Sequence, residues 1–272
     1  MEPGTDLDFC LLIPCYNNIQ GLKKSLQSIH YTCGKHLIVI VDDGSDQPIT
    51  ATNIYFEELP SKLHIIRHPI NKGITYALNT GLKWIIENTN TKYIARLDCS
   101  DICHPTRFFK QLAYLNTHPE TGLLGSWCIF QQQGSKNSYT YTTPLTHKAI
   151  WKAMHIRNVL IHPTVIFKTE LLSSTGFYPY NFRHAEDYAL FWSMLQKTKV
   201  AILNEFLVTC SVDAKGISAK NRKIQLQSCR KIISEFGENR WWKFIGILNT
   251  KIRQLLPQKL MLQLKFLTRS SW

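Results

Sequence analysis

Short apolar runs, each stopped by a polar turn, alternate with stretches of helical spacing through the first hundred residues. Phe9 to Pro14 (FCLLIP) is followed by CYNN, and His36 to Val41 (HLIVIV) by DDGSD. Continuous apolar runs of this length are the pattern of strands buried on both faces. Between them, Leu22, Leu26 and Ile29 recur at helical spacing over Ile19 to Ile29. A helix is expected around Ile49 to Leu59 and a strand at Leu63 to Arg67. A second helical stripe follows through Ile74, Ala77, Leu78, Leu82 and Ile85, and then a strand at Tyr93 to Leu97. Strand alternating with helix predicts an α/β fold, a mostly parallel sheet flanked by helices.

Ligands of such sheets bind beyond the carboxyl ends of the strands. The tips CYNN, DDGSD and DCSD all lie at such ends, so they are expected to converge on one crevice. The second half is less regular. Gly122 to Phe130 reads as a strand and Gln131 to Thr143 as an exposed hairpin or loop. Pro163 to Phe167 is strand-like, Glu186 to Leu195 is helical, and Val200 to Leu203 is a short apolar run.

Composition narrows the class. With 272 residues and 44% hydrophobic residues the chain can bury a full core. It has no apolar run of about eighteen residues that could span a membrane. The N-terminus MEPGTDLDFC carries acids where a signal peptide needs bases, so a cytoplasmic location is expected. The net charge of +13 is uneven: residues 1–213 hold 19 Lys and Arg against 17 acids, and residues 214–272 hold 13 against 2. A near-neutral body therefore carries a basic tail, which seeks an anionic surface. The eight cysteines include no Cys-x2-Cys and no accompanying His pair at zinc-finger spacing, so Cys99 and Cys103 make a poor metal pair. Most thiols read as reduced core residues.

Several acids admit two readings. Asp42 and Asp43 either make a turn with Gly44 and Ser45 or read a nucleotide's base and ribose. Asp98 and Asp101 either share a divalent cation or, with Ser100, cap the helix that begins near Thr106. Glu186 and Asp187 either stabilise a helix N-terminus or place one acid in a cleft. His162 is either structural or a phosphate neighbour.

Taken in order, LLIPCYNN (Leu11 to Asn18), VDDGS (Val41 to Ser45), NKGITYALNTGL (Asn71 to Leu82), YIARLDCSDICHPTRFFKQ (Tyr93 to Gln111), HPTVIF (His162 to Phe167) and AEDYALF (Ala185 to Phe191) resemble family 2 glycosyltransferases of the GT-A fold, of the bacterial surface-polysaccharide type. The resemblance spans roughly Phe9 to Ser218. It implies a GT-A (Rossmann-like) catalytic domain over residues 1–218 with a basic amphipathic helical extension over 219–272. It implies a nucleotide-sugar donor held by Pro14, Tyr16, Asn17, Asp42, Asp43, Lys72, Gly73, Arg96, Asp98 and His162. The implied catalytic base is Asp187, with Glu186 as its neighbour. The implied cofactor is Mn²⁺ or Mg²⁺ on Asp98 and Asp101, although Ser100 stands where the family's Asp-x-Asp motif has its second acid. CSVDAKGIS (Cys210 to Ser218) also lacks an Arg and a His that relatives often show, leaving Lys215 or Arg222 to support the leaving group. The implied reaction inverts a sugar's anomeric centre on transfer to a saccharide or lipid-linked acceptor, in pathways such as lipopolysaccharide synthesis.

In the tail, Trp241, Phe244, Ile245, Leu248, Ile252 and Leu255 recur at helical spacing beside Lys243, Lys251, Arg253 and Gln254, and KLMLQLKFL resumes after Pro257. Such a helix either lies on an anionic membrane surface, peripheral on the inner face, or packs its stripe on the catalytic domain. A nucleic-acid partner is not expected, because the basic residues are gathered among apolar anchors instead of spread over a binding face.

Overall fold

A computed structural model describes residues 7–55, 62–135, 137–212 and 221–256. Among the described residues nine strands form one mixed sheet in the order β3-β2-β1-β4-β8-β6-β9-β5, with β7 paired to β6. The first half is parallel: β1 (Phe9–Cys15), β2 (His36–Asp42), β3 (Lys62–Arg67) and β4 (Tyr93–Arg96). In the second half β8 (Ile166–Lys168) runs antiparallel to both β4 and β6 (Thr121–Gln132). The long strand β9 (Lys199–Val212) then returns parallel to β6. Short β5 (Ile102–Cys103) and β7 (Ser138–Tyr141) complete the edge.

β1, β2 and β4 are buried along their whole length, as continuous apolar runs require. Alternate residues serve different layers. Phe9, Leu11 and Ile13 pack with α1 (Ile19–Gln27) and α4 (Arg107–Thr117), whereas Cys10 and Leu12 pack with α3 (Ile74–Asn88) and α7 (Glu186–Leu195). The β1–β2 ladder continues to Cys15 and Asp42, but the β1–β4 ladder stops at Leu12 and Arg96. The sheet therefore splits at the carboxyl end of β1 and opens the crevice that the pattern predicts.

Three elements differ from expectation. The apolar run expected as a short strand at Val200 to Leu203 is the start of fourteen-residue β9. Asn204 and Glu205 hide this in the sequence, but the pairing jumps from Ser126–Leu203 to Trp127–Phe206, so the polar pair is bulged out of the ladder. His162–Thr164 forms a 3₁₀ turn, and only Ile166–Lys168 of that segment is strand. The helix expected around Ile49 to Leu59 is the single turn α2 (Ala51–Ile54), and residues 56–61 of that expectation lie outside the described residues. Two further helices, α5 (His147–Met154) and α6 (Leu172–Thr175), had not been anticipated.

The C-terminal extension is α8 (Arg222–Phe236) and α9 (Arg240–Leu255). Ile232 and Ile233 of α8 are fully buried in the same core as α7. At Gly246 of α9 an added Cβ would sit 1.8 Å from the carbonyl oxygen of His155, so only glycine lets α9 lie against the end of α5. Ser218, Lys215 and the KLMLQLKFL segment are outside the described residues.

Candidate active site

The DDGS tip is built from its own acids. Asp42 is fully buried. It accepts the Ser45 and Ile49 amides at 2.9 and 3.1 Å and a hydrogen bond from the Arg67 guanidinium. Burial alone would raise its pKa, but these bonds to Ser45, Ile49 and Arg67 hold it below the usual carboxylate value. Asp43 accepts from the Lys72 amide at 3.0 Å and the Gly73 amide at 2.7 Å, and pairs with His68 Nδ1 at 2.7 Å. It thereby suspends the turn that starts α3. Gly44, at φ 75°, passes so close to the Ile70–Asn71 backbone that a Cβ would meet it at 2.3 Å. The Asp42 carboxylate is taken up by the loop, which supports the turn reading for it. The groups at this tip that stay open are Tyr16, exposed, and Asn17, whose amide and side chain bond Ser45 and Asp46. Pro14 is buried within β1 as part of the crevice floor.

At the next tip, Arg96 is completely buried beneath Asp98. Its guanidinium donates to the Leu12 carbonyl, to His162 Nε2 at 3.3 Å and to Asp98 Oδ1 at 2.7 Å. Arg96 is buried and its partner Asp98 is part-exposed, so Arg96 braces the carboxylate nearest the crevice. His162 Nε2 also takes the Tyr178 hydroxyl at 2.8 Å. Burial first, and then the Arg96 charge, pushes the His162 pKa down to about 3, which makes it a neutral acceptor. Asn79 of α3 fixes Tyr178 by bonding its amide and carbonyl.

These residues do not fit a resident divalent cation. Ser100, at φ 83°, turns its hydroxyl to Asn18 Nδ2 at 2.9 Å. Asp101 is buried, accepts the Ser211 amide at 2.8 Å, and is pushed well above the usual carboxylate pKa by burial and then by the Asp98 charge. Asp98 is left with its charge shared with Arg96, and no group of three or more His, Cys, Asp or Glu residues able to hold a metal occurs among the described residues. Asp101 is thus engaged with Ser211, and Asp98 is the more open of the two carboxylates. The capping alternative fails too: the N-cap of α4 is Thr106. Arg222 is likewise withdrawn from leaving-group support, because its guanidinium caps the last carbonyls of α9, Arg253 and Leu256.

The third wall is the start of α7. The helix follows a turn whose His184 has φ 61°, and α8 holds that turn through Gln225 to the His184 carbonyl and Ser228 to the Arg183 carbonyl. Asp187 accepts a side-chain hydrogen bond from Asn158 Nδ2 at 2.9 Å and is also met by the backbone amides of Asp187 and Tyr188. Burial, and next the neighbouring Glu186 charge, raises its pKa to about 7. Glu186 is buried, its Oε2 has no hydrogen-bond partner, and burial raises its pKa as well. Asp98 adds to the upward shift of both acids, which places the second and third walls within electrostatic reach. Asn158 and Tyr178 had no signal in the sequence, since both lie on irregular segments with no motif around them.

The split at the carboxyl end of β1 gathers the three tips and the start of α7 around one crevice. The model of the family "Glycosyl transferase family 2" matches residues 10–173, and the chain belongs to that family. It is 33% identical over 188 residues to the amylovoran biosynthesis glycosyltransferase AmsE of Erwinia amylovora, covering 67% of each chain. It is 22% identical over 241 residues to WfgD of Escherichia coli, a UDP-Glc:alpha-D-GlcNAc-diphosphoundecaprenol beta-1,3-glucosyltransferase, covering 88% of this chain and 90% of that one. Among solved structures, Staphylococcus aureus TarS with UDP-GlcNAc superposes with a TM-score of 0.65 at 17% identity, covering 91% and 73% of the two chains. The mannosyltransferase PcManGT of Pyrobaculum calidifontis, with GDP-Man and Mn²⁺, gives 0.63 at 16% identity, covering 92% and 70%.

Proposed function

We propose that this glycosyltransferase moves a sugar from a nucleoside diphosphate to a hydroxyl of a saccharide or lipid-linked acceptor, with inversion, in the assembly of a cell-surface polysaccharide such as lipopolysaccharide. The observation that carries the reading is Asp187, an acid held near neutral pKa by burial at the wall that faces Asp98. A sugar hydroxyl is a weak nucleophile and needs a positioned base, which contributes on the order of 10²–10⁴-fold. The acceptor oxygen forms a bond to the anomeric carbon as the bond from that carbon to the diphosphate oxygen breaks. The hydroxyl proton passes to an Asp187 carboxylate oxygen, and the nucleoside diphosphate leaves with the bonding electrons. One displacement inverts the centre. Glu186 raises the affinity of Asp187 for that proton, and Asn158 aims its carboxylate.

Donor contacts fall to Tyr16, Asn17, the Lys72–Gly73 turn hung from Asp43, and Asp98 braced by Arg96, His162 and Tyr178. A Mn²⁺ or Mg²⁺ ion would reach this cleft on the donor's diphosphate, where Asp98 is the carboxylate left to meet it. Residues 1–218 act as the catalytic body and 219–272 as a basic extension that keeps the enzyme peripheral on the inner membrane face. AmsE and WfgD, by their names, support the polysaccharide and lipid-linked assignments. The test is a panel of nucleotide sugars screened by thermal shift, followed by turnover of those that bind. One class of donor is expected to raise Tm and to be consumed by the wild type and not by Asp187→Asn. Full turnover by that variant rejects the assignment.

A further inference from the structure

The stripe read from the sequence is one face of α9, and the structure adds a second, inner face. Its inner face is seated on the body: Gly246 and Thr250 are buried, Ile247 packs on the main core, and Trp242 lies under Lys152 at 4.2 Å. Its outer face is a row of large apolar side chains in water. Trp241 is 66% exposed, Phe244 60%, Leu248 46%, Ile252 49% and Leu255 84%. At about 100° per residue these five fall within an arc of about 80°, over a length of roughly 21 Å. Of the two readings of this stripe, packing on the catalytic domain does not describe these five residues; a different face of the same helix packs there.

We propose that this outer face is a preformed docking surface for an anionic lipid bilayer. The inference rests on the glycosyltransferase reading only in giving the enzyme a lipid-linked acceptor to approach. Lipid is chosen as the occupant on charge. Arg240 and Lys251 are exposed beside the stripe, and residues 221–256 carry eight Lys and Arg against two Glu. A helix lying in the headgroup layer buries its apolar arc in the acyl boundary while basic flanks meet anionic headgroups. Trp241 suits that boundary with an apolar ring and a polar N–H. A second copy of the chain is a poorer occupant, because a symmetric contact through α9 sets two basic helices against each other. The face is rigid before binding: Arg222 caps the end of α9, Arg230 bonds Gln254 at 2.7 Å, and Lys243 bonds the Ser234 carbonyl at 2.8 Å. Docking thus requires little ordering of the helix.

The experiment is co-sedimentation of the full chain with vesicles of phosphatidylcholine alone or mixed with phosphatidylglycerol. The wild type is expected to partition at least tenfold more strongly onto the anionic vesicles. The triple variant Trp241→Ser, Phe244→Ser, Leu248→Ser is expected to lose that partition at least tenfold while keeping the wild-type Tm and donor binding, since all three side chains are exposed. Arg240→Glu with Lys251→Glu should weaken binding to anionic vesicles and leave the weak binding to phosphatidylcholine unchanged. Equal sedimentation of the triple variant, or none by the wild type, overturns the proposal. So does light scattering that finds a wild-type dimer and a monomeric triple variant with no vesicle binding by either. Donor turnover with a soluble acceptor is read separately. Turnover without vesicle binding overturns the docking surface alone, and vesicle binding without turnover supports it while rejecting the enzymatic reading.

Discussion

Two pairs of adjacent acids stand in the crevice, and the fold treats them in opposite ways. Asp42 and Asp43 are met by the amides of Ser45, Ile49, Lys72 and Gly73 and by the side chains of Arg67 and His68. Glu186 is buried and Asp187 half-buried; Asn158 and nearby backbone amides bond Asp187, and Glu186 keeps an unpartnered oxygen. A buried carboxylate with its bonds made is a structural joint. One with too few is held in a state from which taking a proton is favourable. Loop geometry produces this difference: Gly44 lets amides of one loop converge on Asp42, whereas the turn before α7 leads directly into a helix.

The largest test of this contrast is Asp187→Asn. Its kcat should fall on the order of 10²–10⁴-fold with donor affinity unchanged, as measured by steady-state kinetics and calorimetry. The same variant should be the more stable protein in alkali. Because the folded pKa of Asp187 lies near 7, above its unfolded value of 3.8, the native state binds the extra proton between those limits. Stability is therefore lost as pH rises through that window, and Asn escapes the loss. Thermal melts should show a higher Tm for the variant at pH 8 and no difference at pH 4.

Asp42→Ala should act on the other side of the comparison. It leaves the buried amides of Ser45 and Ile49 unmet, each worth about 1–3 kcal/mol, and removes the partner of the exposed Arg67; denaturant titration should report the loss of the two amides. If Asp42→Ala folds as stably as the wild type, the joint reading of the DDGS tip is wrong.

A finer break is Asn158→Leu, which removes the hydrogen bond that favours ionised Asp187. The kcat/KM profile of the wild type should fall about tenfold per pH unit below about 7. In the variant that acid limb should move upward by about one unit. Ser100→Asp is the smallest expected change. It adds an acid beside Asp98 at a positive-φ position that Asp tolerates, and should strengthen Mn²⁺ binding on the order of tenfold by electron paramagnetic resonance, with the wild type as reference.

Much of this was legible in the chain. FCLLIP, HLIVIV and YIARL are apolar without interruption because both faces of a central parallel sheet are covered, so their strands could be read directly. Glu186 to Leu195 was read with its observed bounds because its flanking turn is polar and its body apolar. Strand β9 was cut short because a bulge absorbs Asn204 and Glu205, and bulges depend on the partner strand's register. The direction of Arg96 was not legible because a guanidinium at a strand end can point to a cleft or beneath it; here the open ladder beyond Leu12 takes it inward to Asp98 and the Leu12 carbonyl.

The sequence by itself determined the layered α/β class, the three tips that meet at the crevice, the separation of a near-neutral body from a basic tail, and Ser100 in place of an acid. Those follow from periodicity, residue type and charge, which are properties of neighbours along the chain. Tertiary packing alone settles which acids have all their bonds made, that Asp101 is turned to the Ser211 amide, and that the apolar row of α9 faces water. Those depend on hydrogen-bond partners 25 to 110 positions away, such as Arg67 for Asp42 and Ser211 for Asp101, and on packing that no local pattern encodes.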